Sequence, residues 1–377
     1  MRELDLLVLG SSPANLVRAI LAARAAEIVL VVDESASPGG AWQSRPSFGA
    51  QHGLFEVAPH LLSPVPEAYD LLRRAGIPLH PRPIRYWSHE RYTDEACARA
   101  ELLLGSSVPR WDPQGSLLSW SQYHLLEAIA TGRDTESLQV LAEAHQRYER
   151  DFAYPMPGIQ LLIDRLFGNA VDAGVTVRLE TGARLLESGS TAMHVALEGR
   201  SSCEVAARRI LGGRHLRVDQ PIGSRSDTEP QRVQSTLMIQ LDRELADGLD
   251  YLNVAGHSSV VSLQRCRPVR GETDQPWVYG VTGSFSGDDD PVGVAQSMLD
   301  ELSAADVADP RAVVVSAVWE RLDLGERNLD ELRALDAGSS ALDIHIVTNL
   351  MHEVAAHPVL WEQALAATEG HGSREPS

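Results

Sequence analysis

The apolar positions open the chain with a strand-length run over residues 4–10 (LDLLVLG), closed by a glycine. From Pro13 to Ala26 the spacing becomes helical, with Leu16, Val17, Ile20 and Ala23 on one face. A second buried run, Ile28 to Val32, ends at Asp33. Strand, helix and strand in this order predict a β-α-β unit with a parallel sheet. Residues 66–151 carry helical patches (EAYDLLRRAG, SQYHLLEAIA, LQVLAEAHQRYER) between Pro- and Trp-containing loops, which predicts a mainly helical insertion. From Gly158 a helix (GIQLLIDRLFGNAVDAG) leads into the strand VTVRLE and alternating segments over 192–211. After the linker GSRSDTEPQR, the segments STLMIQLD, SVVSLQRCR and WVYGVTGSFS alternate with period two. They predict an antiparallel sheet with one solvated or ligand-facing side. A helix near 291–304, the strand AVVVSAVW, a strand from Leu342 to Val347 and a helix over about 350–367 follow, and EGHGSREPS reads as a disordered tail.

Composition narrows what such a chain can do. With 377 residues, 44% of them hydrophobic and only 5% aromatic, it can bury an aliphatic core. A formal charge of −19 excludes a polyanionic partner, because nucleic-acid binding needs clustered cations. All 33 basic residues are arginine, so Schiff-base chemistry and a lysine that positions water are both ruled out. Cys97, Cys203 and Cys266 are too few and too far apart for a disulfide framework or a CxxC metal site, which fits a reducing cytoplasm. The opening MRELDLLVLG does not read as a secretion signal, and no window reaches the roughly 18 apolar residues of a membrane span.

The first turn, GSSPANL at residues 10–16, stands where a dinucleotide fingerprint belongs, and Asp33 follows where a carboxylate can take the ribose hydroxyls. Gly10, Ser12 and Asn15 fall at the three glycine positions of GxGxxG. Gly10 keeps the tight turn, whereas Ser12 and Asn15 bring side chains to places where glycine allows close approach. The helix start at Pro13 can still hold an anion, with the Ser11 and Ser12 hydroxyls as further donors. The alternative is a β-α-β unit kept for packing alone.

Four stretches carry a family resemblance. They are Asp33-Glu34 followed by the Gly39-Gly40 pair, then Glu56-Val57-Ala58-Pro59-His60, Tyr154-Pro155-Met156-Pro157-Gly158, and Thr181-Gly182-Ala183-Arg184. In order and spacing the chain resembles the flavoprotein superfamily of the amine oxidases, protoporphyrinogen oxidase, the carotenoid desaturases and UDP-galactopyranose mutase. It also resembles that superfamily's flavin-free Rab escort and GDP dissociation inhibitor branch. The resemblance covers about residues 4–65 and 152–212. It implies an α/β fold: a Rossmann-type FAD/NAD(P)-binding domain over 1–65, 152–230 and 335–368, interleaved with a substrate domain over 66–151 and 231–334, and a tail at 369–377. It implies FAD held by Gly10, Ser11, Ser12, Pro13, Asn15, Asp33, Glu34, Gly39, Gly40 and Ala183, with His60 bordering the flavin ring. The chain departs from the pattern at Ala58, at Pro157 and at the C-terminal junction Thr348-Asn349-Leu350-Met351, where the family has a glycine.

Smaller groupings add little. His352 and His357 are five apart, roughly 140° around a helix, so the HEVAAH segment is not a metal site, and none is expected. Asp288–Asp290 reads as a solvated loop. Arg265 and Arg267 share one face of a period-two strand and are the candidate clamp for a substrate carboxylate or phosphate, an Arg-decorated sheet edge being the alternative. The expected function is an FAD-dependent oxidoreductase that oxidises a C–N or C–C bond of a small organic substrate. A flavin-free accessory or binding protein on the same scaffold, with a protein partner or as a homo-oligomer, is the first alternative. A redox-neutral flavin enzyme on a sugar nucleotide is the second.

Overall fold

The computed structural model describes residues 2–42, 44–46, 54–56, 62, 65–81, 84–88, 90–112, 116–151, 153–155, 158–188, 191–212, 216–218, 232–240, 251–255, 260–265, 278–286, 290–304, 316–323, 342–343 and 354–366; several of these strands are described by their backbone alone. The β-α-β unit is present as β1 (Arg2–Leu9), α1 (Pro13–Arg24) and β2 (Val29–Val32). β1 lies parallel to β2, with Leu6 opposite Val29 and Leu9 opposite Val32, and β2 lies parallel to β9 (Thr176–Arg178). On its other side β1 pairs in parallel with β12 (Cys203–Leu211). β12 continues through the antiparallel β11 (Met193–Gly199) and β10 (Thr181–Ser188) to β13 (Leu216–Val218), and β19 (Leu342–Asp343) pairs in parallel with β12.

Every residue of β2 is buried, as a parallel strand covered on both faces requires. Side-chain alternation sends the two sets of β1 residues to different cores. Leu6 and Val8 join α1, α2 (Pro66–Arg74), α6 (Gln160–Asp172) and α8 (Pro358–Leu365) in one cluster. Leu7 and Leu9 pack with Ala183, Met193, Val195 and Leu197 of the antiparallel strands in the other. Trp361 of α8 is fully buried among the helices on the first side, and Arg24 closes α8 by donating to the carbonyls of Gln363 and Ala366.

The second large sheet has seven strands in the order β18 (Ser316–Asp323), β14 (Arg232–Gln240), β17 (Val278–Ser286), β16 (Val260–Arg265), β15 (Tyr251–Ala255), β6 (Arg85–Ser88) and β7 (Ser116–Ser119). Its pairs are antiparallel except β15 with β6. The region read as a mainly helical insertion holds α3 (Asp94–Leu104), α4 (Trp120–Ala130) and α5 (Thr135–Asp151), but it also supplies β6 and β7 to this sheet. Those two strands have four residues each, too short for period two to stand out. β6 pairs with β15, more than 160 residues away, and β7 pairs in turn with β6, so pairing decided what local pattern could not. Two short pairs, β3 (Ser44–Pro46) with β4 (Leu54–Glu56) and β5 (Leu79–Pro81) with β8 (Ala153–Pro155), and the helix α7 (Pro291–Ala304) complete the described elements. No helix among the described residues is long and apolar enough to cross a membrane.

Candidate functional site

The site is assembled where β1 and β2 end. Gly10 accepts a left-handed turn at φ +86°, which costs glycine little, and its N–H donates to the Val32 carbonyl at 2.7 Å. The chain then enters α1 with Ser12 as N-cap and Pro13 in the first turn, and the Ser12 side chain makes no capping bond. Pro13 has no N–H to offer and its fixed φ suits a helix start. The end of α1 that faces the loop is therefore an uncapped helix N-terminus of the kind that holds phosphate.

Three segments meet on this loop. Asp33, buried at the end of β2, accepts from the Ser11 N–H at 2.7 Å and the Ser11 hydroxyl at 2.5 Å through Oδ2, and from the Ser35 N–H at 2.8 Å through Oδ1. The turn carrying Gly39 (φ +117°) and Gly40 (φ +58°) folds back onto the loop. The Gly39 N–H donates to both the Ser11 carbonyl and its hydroxyl, and a Cβ on Gly40 would stand 3.6 Å from Ser12. On the third side, the N–H of Thr181 donates to the Asp33 carbonyl, which fixes the start of β10 beside the end of β2. Glu34 is exposed, and its carboxylate lies over Gly182, next to Ala183. Ala183 is 3% exposed, packed in the core on a strand paired on both sides, with Leu197 on one side and Leu216 on the other.

Asn15 stands at the third glycine position and takes over that glycine's task by a different means. Its amide donates to the carbonyls of Leu9 and Gly10, both at 3.0 Å, tying α1 to the end of β1. The close backbone approach has moved to Gly212, just after β12. A Cβ there would lie 2.4 Å from the Leu9 carbonyl, and the residue has φ +79°. Sequence reasoning missed Gly212, although a glycine pair directly after an apolar strand was a signal for it.

The structure thus brings Gly10, Ser11, Ser12, Pro13, Asn15, Asp33, Glu34, Gly39, Gly40 and Ala183 into one neighbourhood. Ser11 differs in its role: it is fully buried, and both its donors go to Asp33 rather than toward a phosphate. His60, Arg267 and the 348–351 junction lie outside the described residues. Arg265 ends β16, opposite Tyr279. Among the described residues there is no group of three or more His, Cys, Asp or Glu side chains that could hold a metal.

A second polar cluster sits in the helical layer. Trp120, Tyr123, His124 and Glu127 line one face of α4 at helical spacing. Tyr86 stacks on Tyr123 with ring centroids 4.2 Å apart, and its hydroxyl pairs with Nε2 of His124 at 3.2 Å. His124 stacks in turn on His145 of α5, whose Nδ1 accepts from the Trp120 indole at 3.0 Å. Burial and the neighbouring His145 pull the His124 imidazole down to about 4, and burial lowers His145 as well. Both are satisfied structural histidines, brought together across 21 residues of sequence.

No family model matches the sequence, nor does any curated protein. Solved structures do match over nearly the whole chain. A putrescine oxidase bound to putrescine shares 15% identity at a TM-score of 0.54, covering 96% of this chain and 98% of that one. A protoporphyrinogen oxidase-like protein from Exiguobacterium shares 14% at 0.54, covering 97% and 98%. The Rab GDP dissociation inhibitor of Plasmodium falciparum shares 9% at 0.51, covering 96% of each. The chain therefore shares the overall fold of these structures, the oxidases and the GDP dissociation inhibitor alike.

Proposed function

We propose that this chain is an FAD-dependent oxidoreductase that oxidises a C–N or C–C bond of a small organic substrate. The observation that carries the reading is the convergence of Gly10, the uncapped start of α1, the Asp33 carboxylate and the Gly39–Gly40 turn on one loop. These groups fit a dinucleotide: a helix N-terminus for the pyrophosphate, an acid at the strand end for the ribose, and two glycines in left-handed conformations beside them. Glu34, its carboxylate over Gly182 next to Ala183, borders the same ground. FAD, when bound, would supply hydride acceptance, which side chains cannot provide. The protein's part is to hold the nucleotide, orient the substrate and exclude water from the reacting bond.

Under this reading the nucleotide domain comprises 1–65, 152–230 and 335–368, and the substrate domain comprises 66–151 and 231–334. His60 would border the ring, and Arg265 with Arg267 would bind an acidic substrate group. The putrescine oxidase structure holds putrescine, which makes small amines the first substrates to assay. Free Cys97 and Cys203 suit a reducing cytoplasm as the setting. Purified protein should carry flavin, or take it up on incubation with FAD, and should bleach under anaerobic addition of an oxidisable amine. A preparation that acquires no flavin absorption would end this reading.

One observation favours a second reading, a flavin-free binding protein on the same scaffold. The Asp33 oxygen that receives two donors from Ser11 is already satisfied without any ligand, and the inhibitor likeness points the same way. A colourless protein that captures a protein partner with FAD absent would support it.

A further inference from the structure

The GxGxxG fingerprint gives roles to its three glycines and none to the side chain after the first. Here that residue is Ser11, and it is 0% exposed. The Gly39 N–H can only donate, so the Ser11 hydroxyl accepts from it at 3.0 Å and must give its single proton to Asp33 Oδ2. The Ser11 N–H reaches the same oxygen. The result is a directed chain, Gly39 N–H to Ser11 O–H to Asp33, that spans the loop, the strand end and the glycine turn. Oδ1 receives one described donor, the Ser35 N–H, and keeps acceptor capacity.

We infer that the Ser11 hydroxyl is the positioning group of this nucleotide cradle: it fixes the Asp33 carboxylate by one oxygen so that the other meets a ribose hydroxyl, and it latches the Gly39–Gly40 turn against the loop. This rests on the FAD reading above. The latch also fits the two replaced glycines, since a loop carrying Ser12 and Asn15 side chains has less freedom to close around a ligand and gains more from being set in advance.

The test is calorimetric titration of the whole chain, freed of flavin, with FAD, ADP and 2′,3′-dideoxy-ADP. Wild type should bind FAD, and should bind ADP about tenfold or more tightly than the dideoxy nucleotide, the worth of a hydrogen bond to a charged group. Ser11→Ala should narrow that ratio to about threefold or less, with both nucleotides weakened by loss of the latch but ADP weakened more. Ser11→Gly, which suits the loop backbone if alanine folds poorly, should do the same. Equal weakening of both nucleotides, with the ratio kept at its wild-type value, would show that Ser11 only stabilises the fold, and would overturn the proposal. So would an unchanged ratio in the variants, or no discrimination in wild type, and these outcomes leave the FAD reading standing if FAD still binds. Wild type that binds neither FAD nor ADP would overturn both.

Discussion

Asn15 and Gly212 show how a single position can lose a glycine while the fold keeps what the glycine did. Close contact between α1 and β1 is held by the Asn15 amide on two carbonyls, and the tight approach passes to Gly212 against Leu9. Gly212→Ala combines a 2.4 Å clash with a left-handed backbone, and should cost on the order of 2–4 kcal/mol in urea denaturation. An unchanged midpoint would mean that the loop relaxes freely and that Leu9 and Gly212 are not rigidly opposed. The sequence made Gly10, Asp33 and the Gly39–Gly40 pair legible, because each sits at a fixed spacing from a strand end. It did not reveal what Ser11 bonds to, since a hydroxyl that faces a carboxylate 22 residues away leaves no periodic trace. Nor could it anticipate Asn15 as a tether: the position was marked by the missing glycine, and the gained amide became visible only through its geometry.

Two elements outside the β1–α1 loop respond to identifiable perturbations. α4 and α5 are joined through the stacked His124–His145 pair and the Trp120–His145 hydrogen bond. Indole N–H only donates, so Nδ1 of His145 must stay unprotonated for that bond to exist. The described titratable and charged groups in ring contact with the pair or acting on it by charge are Tyr86 from β6, Tyr123 from α4 and Arg133. His124 is held at about 4 in the fold and His145 is also lowered, while both titrate near 6.5 when unfolded. Their neutral forms thus support the fold fully above about pH 6.5. Below that the unfolded chain takes up protons first, and the contribution is lost as pH falls toward about 4. A His124→Gln/His145→Gln variant should show a flatter stability profile between about pH 4 and 6.5 than wild type; parallel profiles would contradict the assignment. α8 depends on packing instead. Trp361→Ala should cost about 3–5 kcal/mol by equilibrium unfolding, because the indole is fully buried beneath α1, α2 and α6. The strong helices α1, α2, α4, α6 and α7 were readable from period 3.6, as were β14, β16 and β17 from period two. β6, β7 and β15 were not, because strands of four or five residues are specified by their partners in the sheet.

For the whole molecule, the order of elements carried more information than any one motif. A parallel β12-β1-β2-β9 core covered by helices on one face and an antiparallel layer on the other places the strand ends, and the loops after them, where nucleotides bind in open α/β sheets. A separate seven-stranded sheet backed by α3, α4 and α5 gives the chain a second body of structure. Fold likeness at 9–15% identity extends over nearly all of it, whereas chemistry depends on whether the altered loop still takes its nucleotide. The most direct measurement is therefore the visible absorption spectrum of the purified protein before and after incubation with excess FAD and removal of the unbound excess. The account predicts a retained flavin band in near one-to-one amount. A protein that stays colourless, with its thermal midpoint unmoved by FAD, would contradict it.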